Sequence, residues 1–183
     1  MKSLSSPTFA WLGAAGLAVG LALVAPSESG VMGQLPVFMT QTLLHKPVDL
    51  PKDLPSDRTL AIITFQKNQR AHAEGWIEGL NLRNDPSISW VRMPVINDPG
   101  TPNGRSEVES RLLQHYTADA ERANLVPVFT DRARFVRSTG LNGTDQLYAV
   151  VVNRRGDVLA RVEGEFSESK AQTLRETLKA QDL

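Results

Sequence analysis

Apolar positions change their period several times along the chain, and each change marks an element. The run from Thr59 to Phe65 is short, continuous, apolar and β-branched, the pattern of a strand buried on both faces in the middle of a sheet. Ala73, Trp76, Ile77 and Leu80 then recur at helical spacing, which predicts a helix over 69–82 with Asn68 placed to cap its free amides. Asn84, Asp85 and Pro86 break the chain, and residues 88–93 resume as a strand that ends at Pro94, completing a β-α-β unit. The turn formers from Asn97 to Gly104 predict a long loop. Ser106 and Glu109 then make a capping box for a second helix carrying Val108, Leu112, Leu113 and Tyr116. Residues 125–129 read as a short strand, and a brief helix capped by Asp131 and ended by Gly140 follows. The runs 147–153 and 158–163 flank Arg154, Arg155, Gly156 and Asp157 as a tight β-hairpin, and Ser167 opens a last helix with Ala171, Leu174 and Leu178 on its inner face.

Helices between successive strands argue for parallel pairing in the first part, whereas the late hairpin requires an antiparallel edge. The expected fold class is therefore α/β, a mixed β-sheet flanked by helices. Ahead of it, residues 30–58 carry Pro36, Pro47, Pro51 and Pro55 and suit a wrapping lead-in with at most short edge strands, because proline cannot donate to a ladder. At the start, Lys2 precedes an uncharged run from Leu4 to Ala25, followed by Pro26, Ser27 and Ser29. That order predicts a signal peptide or a membrane anchor over 1–29, with residues 59–183 as the domain proper. Cleaved or retained, it places the domain outside the cytoplasm, periplasmic or secreted, because the flanking positive side chain lies before the segment. Membrane contact is expected only through this N-terminal segment.

Composition narrows the chemistry. Twenty basic and twenty acidic side chains among 183 residues leave no net charge, so no overall field favours nucleic acid. There is no cysteine, which removes disulfides, thiolate nucleophiles and Cys-ligated metal together. His45, His72 and His115 are the only histidines, and none is spaced as a metal-ligand pair. Neither a phosphate-binding glycine loop nor a Gly-x-Ser-x-Gly elbow occurs, and no cofactor or metal is expected. Trp76, Trp90 and Phe129 read as core aromatics, with a ligand groove as the alternative. Arg132, Arg134 and Arg137 with Arg154 and Arg155 read as a solvated basic surface.

The order of elements resembles the thioredoxin superfamily in its longer peroxiredoxin-like and periplasmic thioredoxin-like branch. Tyr148 to Val158 looks like that branch's strand, hairpin and strand, with Asn153 where Asp is usual. Val128 to Asp131 followed by Gly140 and Leu141 looks like the segment before it. The family's cysteine positions fall near Arg70 and Ala73, in the stretch Gln66 to Ala73, and its cis-proline falls near Leu147, so both halves of a redox site are missing. A more distant likeness is to mitochondrial ATP-synthase assembly chaperones. The resemblance implies a non-catalytic, redox-inactive protein that binds or assembles an envelope or membrane protein partner.

On that layout Gln69, Arg70 and His72 lie at the amino end of the first helix, where free amides and the helix dipole favour an anion such as a carboxylate or phosphate. A solvated first turn with a snorkelling Arg70 is the plain alternative. The 97–104 loop would add contacts. A cysteine-independent enzyme would instead use Arg70, His72 and Glu74 in the same cleft. Convergence of those three side chains in a concave pocket would favour the enzyme; splaying would favour the binder.

Overall fold

In the computed structural model, which describes residues 30–180, strand β3 (Thr59–Thr64) is buried along its whole length and paired on both sides. It runs parallel to β4 (Trp90–Asn97) and antiparallel to β6 (Tyr148–Val152). Beyond these, β5 (Val128–Thr130) is parallel to β4 and β7 (Val158–Glu163) is antiparallel to β6, giving the order β5-β4-β3-β6-β7. The mixed sheet and its central strand are as the apolar runs predicted. The N-terminal signal or anchor prediction lies outside the described residues; among those residues no helix is long and apolar enough to cross a membrane.

Side chains alternate across the pleat, so β3 feeds two cores. Leu60 and Ile62 point to one face with Trp90, Ala149 and Val151, covered by α1 (Arg70–Gly79) and α5 (Glu168–Lys179) through Trp76, Ile77, Ala171 and Leu174. Ala61 and Ile63 point to the other with Met93, Val95 and Val150, covered by Phe135 of α4 (Arg132–Thr139) and by Leu35, Leu50 and Leu54 of the lead-in. Each such large apolar side chain, fully buried, contributes about 1.5–3 kcal/mol. A third cluster joins Leu112 of α2 (Pro102–His115) and Tyr116 with Leu43 and Leu125. A short helix not expected from the sequence, α3 (Asp119–Ala123), follows α2.

Three boundaries differ from expectation, each for a local reason. The first helix is not capped by Asn68: residues 67–69 form a 3₁₀ turn entered from Gln66, and α1 starts at Arg70 and ends at Gly79. Strand β4 does not stop at Pro94. The register that pairs Arg92 with Leu125 and Val95 with Val128 sets Pro94 opposite Pro127, so the ladder skips a rung that neither proline could bond. Helix α2 starts earlier than the Ser106 box, because Thr101 accepts from the Gly104 amide at 3.1 Å and Pro102 suits the first turn. The predicted 97–104 loop thus shrinks to residues 98–101. In the lead-in, β1 (Phe38–Gln41) and β2 (Pro47–Leu50) pair antiparallel with each other, not with an edge of the main sheet.

The closing elements follow the prediction closely. Asp131 caps α4 by accepting from the Arg134 amide at 2.8 Å, and Ser167 caps α5. Gly140 ends α4 with φ of 69°, where a Cβ would overlap the Met32 carbonyl. Residues 32–35 lie along this corner, with Met32 N–H donating to the Val158 carbonyl at 2.8 Å and Val158 N–H to the Gly33 carbonyl at 2.9 Å.

Candidate functional site

Parallel strands leave their carboxyl ends on one side of a sheet, and ligand crevices form there. Here Thr64 and Phe65 at the end of β3, residues 94–96 of β4 and Arg132 just after β5 meet the first turn of α1 and the inner side of α2. Between them lies a cavity of about 250 Å³. Its apolar wall is Phe65, Val95, Leu112 and Tyr116, all buried, with Ile96 and Val108 partly so. Its charged groups are Lys67, Arg70, Arg111 and Arg132, and no carboxylate or histidine lines it.

Each cation has a different setting. Lys67 and Arg111 are exposed and Arg70 and Arg132 half-buried. Arg132 donates from Nε to the Val95 carbonyl at 3.0 Å, and burial lowers its guanidinium from its ordinary pKa. The Arg70 guanidinium stands 6.0 Å from the centre of the Tyr116 ring, and Arg92 stands 4.9 Å from the same ring. Arg92 is 6 % exposed and donates to Glu74 Oε2 at 2.8 Å, while Glu74 also pairs with Arg83, which reaches Glu121 at 3.0 Å. Burial works to raise the Glu74 carboxyl, but the hydrogen bonds and charges of Arg92 and Arg83 hold it below its ordinary value of 4.5.

Of the candidate site residues Gln69, Arg70 and His72, only Arg70 lines the cavity. Gln69 is 2 % exposed and spent on the backbone: Oε1 accepts from the Phe65 amide at 2.8 Å and the Gln66 amide at 3.3 Å, and Nε2 donates to the Thr144 carbonyl at 2.9 Å. It stitches the end of β3 to the loop before β6. Replacing Gln69 with Leu strands the buried Phe65 amide, while the Thr144 carbonyl keeps the donor Gln66 Nε2 at 3.2 Å, so the domain should lose about 1–3 kcal/mol; urea unfolding of the variant checks this. His72 leaves the cavity for Glu165, with Nε2 3.1 Å from Oε1. Arg70, His72 and Glu74 therefore splay toward three different partners instead of converging. Residues 98–101 do not line the cavity either. Ala73, near which the resemblance would place a cysteine, is buried under the sheet.

The residues that sequence reading missed are Lys67, Arg111, Arg132 and Tyr116. Of the arginines read as a solvated basic surface, Arg134, Arg137, Arg154 and Arg155 are exposed, whereas Arg132 is half-buried in the cavity wall. Trp76 and Trp90 are core, as expected, and Arg105 lies over the Phe129 ring at 5.7 Å. No cluster of metal-ligating side chains occurs among the described residues.

Three solved structures with a similar fold are distant from this chain in sequence. A Sco-family cytochrome c oxidase assembly protein, BsSco, matches at 15 % identity with a TM-score of 0.53, over 79 % of this chain and 91 % of its own. The exposed lipoprotein thioredoxin of Streptococcus pneumoniae matches at 12 % identity and 0.51, over 77 % and 99 %. The thioredoxin domain of a thiol-disulfide oxidoreductase from Bacteroides vulgatus matches at 14 % identity and 0.52, over 82 % and 99 %. None of the three is an ATP-synthase assembly chaperone, so that distant likeness gains no support. No family model and no curated protein matches the sequence. The chain has the thioredoxin-like fold without a cysteine anywhere in it.

Proposed function

We propose that this chain is a redox-inactive thioredoxin-fold protein that works outside the cytoplasm as a binding or assembly factor for an envelope or membrane partner. It engages that partner through the cleft at the carboxyl ends of β3, β4 and β5. The observation that carries the reading is the cleft itself: where thiol chemistry would need sulfur, this one has an apolar wall and the cations Lys67, Arg70, Arg111 and Arg132, with no carboxylate or histidine among its lining residues. The absence of cysteine accords with redox inactivity. The apolar run at 4–25 supports an extracytoplasmic setting, as does the likeness to an exposed lipoprotein. A Sco-family assembly protein among the fold neighbours makes an assembly role natural for such a cleft. The enzyme alternative loses its ground because Arg70, His72 and Glu74 do not converge.

The test is crosslinking and capture from membranes with the N-terminus intact, comparing wild type with Arg70→Gln/Arg111→Gln. A defined complex that the double substitution abolishes is the expected result, together with disulfide and peroxide reduction no faster than the blank. Turnover at enzymic rates, or a complex indifferent to both arginines, would overturn the reading.

A further inference from the structure

The geometry points to a specific ligand chemistry for this cleft: a carboxylate carrying one apolar group about the size of a leucine or phenylalanine side chain, as a free acid or as the end of a polypeptide. This rests on the preceding reading of the cleft as a binding site and names what it binds.

Charge is the first reason. Lys67, Arg70, Arg111 and Arg132 share one cavity in a protein with no net charge, and among the described residues no carboxylate pairs with any of them. Neighbouring arginines are treated differently: Arg83 and Arg92 share Glu74, and Arg105 has Asp98. Like charges gathered beside a low-dielectric wall repel one another, and a bound anion relieves that repulsion. Arginine forks also match a carboxylate edge with two parallel hydrogen bonds. Arg132 has its Nε engaged by Val95, which leaves its terminal nitrogens for a ligand.

The apolar wall is the second reason, since a bare anion would gain nothing from Phe65, Val95, Leu112 and Tyr116. Volume is the third. The cavity holds about 250 Å³, while a dry cavity of ~150 Å³ accommodates benzene, so roughly ten non-hydrogen atoms fit. That is below the ~300 Å³ at which sites for drug-sized ligands begin, and a nucleotide is too large.

The experiment is calorimetric titration of the full chain, held in an uncharged detergent at low salt, with 3-phenylpropanoate, its amide and inorganic phosphate. The acid should bind at least about tenfold more tightly than the amide, the effect of one charge-assisted hydrogen-bonded contact. Phosphate should bind more weakly than the acid. Arg70→Gln and Arg111→Gln should each weaken the acid by about tenfold, while Arg175→Gln on α5, whose partner is Glu168, should not. Val108→Trp, which fills the cavity and keeps every cation, should also block it. A short peptide ending in phenylalanine with a free carboxylate locates the source: binding equal to the acid assigns a chain terminus, and binding of the acid alone assigns a small molecule. Acid and amide binding alike, phosphate equalling the acid, or no binding by any of them would overturn the inference. If the acid fails while capture from membranes still depends on Arg70, this inference falls and the binding reading stands.

Discussion

Trp76→Ala should cost the domain about 3–5 kcal/mol, the range for deleting a buried aromatic. Trp76 is fully buried at the centre of the core between α1, α5 and the sheet. Its ring meets Phe166 edge to face at 5.2 Å, and its Nε1 donates to the Gly164 carbonyl at 2.9 Å. Alanine removes all three contributions at once: transfer of the ring from water, the aromatic pair and a hydrogen bond that holds the turn after β7. Against a total stability of roughly 5–15 kcal/mol, such a loss leaves a domain with little margin. With a denaturant slope of ~1–3 kcal/mol per molar urea, the midpoint should fall by more than about 1 M. A shift below a few tenths of a molar would mean that α1 and α5 close over the gap, and that this core is softer than its burial indicates.

Glu74 comes next, because it is the shared carboxylate of Arg92 and Arg83 and not a spare acid in the cleft. With Glu74→Gln, the buried guanidinium of Arg92 loses its anionic partner and keeps only a neutral amide and the Tyr116 face near it. The expected cost is about 2–3 kcal/mol, under the roughly 3–5 kcal/mol of fully buried pairs, because the Glu74 side chain is 34 % exposed. Its pH dependence has a definite sign. A carboxyl held below its ordinary value in the fold contributes stability that is complete above 4.5 and fades as pH falls through the lowered folded value. The gap between wild type and variant, measured by urea unfolding, should therefore be full at pH 7 and should narrow by pH 3. A gap that stays constant would show that the loss comes from packing. Since Arg92 lies over the ring that lines the cleft, the variant should also bind ligand less well without touching it.

These two residues illustrate how legible the chain is. Trp76 was readable as core because it recurs with Ala73, Ile77 and Leu80 at the spacing of one helix face. Nothing in sequence pairs Glu74 with Arg92, which lies on the next strand. The late hairpin and its flanking caps at Asp131 and Ser167 were legible because their signals are local: a turn residue, a side-chain acceptor, an amide three positions on. The start of α2 was misread since two local caps competed, and Thr101 with Pro102 prevailed over Ser106 with Glu109. The burial of Leu35, Leu50 and Leu54 against the far face of the sheet depended on partners distant in the chain.

The candidate site divides in the same way. Arg70 was found because it opens a helix after the central strand, but its sequence neighbours were poor companions. Adjacent positions on a helix are turned by about 100°, so Gln69 faces the Thr144 loop and His72 faces Glu165 while Arg70 faces the cleft. Of the cations that accompany it, Lys67 stands three positions before it, whereas Arg111 on α2 and Arg132 after β5 are tens of residues away.

By itself, then, the amino-acid order determined the succession of elements, the strand at the middle of the sheet, and the impossibility of thiol chemistry, all of which depend on local periodicity or on what residues exist. Only the tertiary structure decided which charges meet. Parallel strands deliver their carboxyl ends to one place however far apart they lie along the chain, and that convergence, with the rotation of each helix about its axis, is set by packing between elements and has no signature in any single segment.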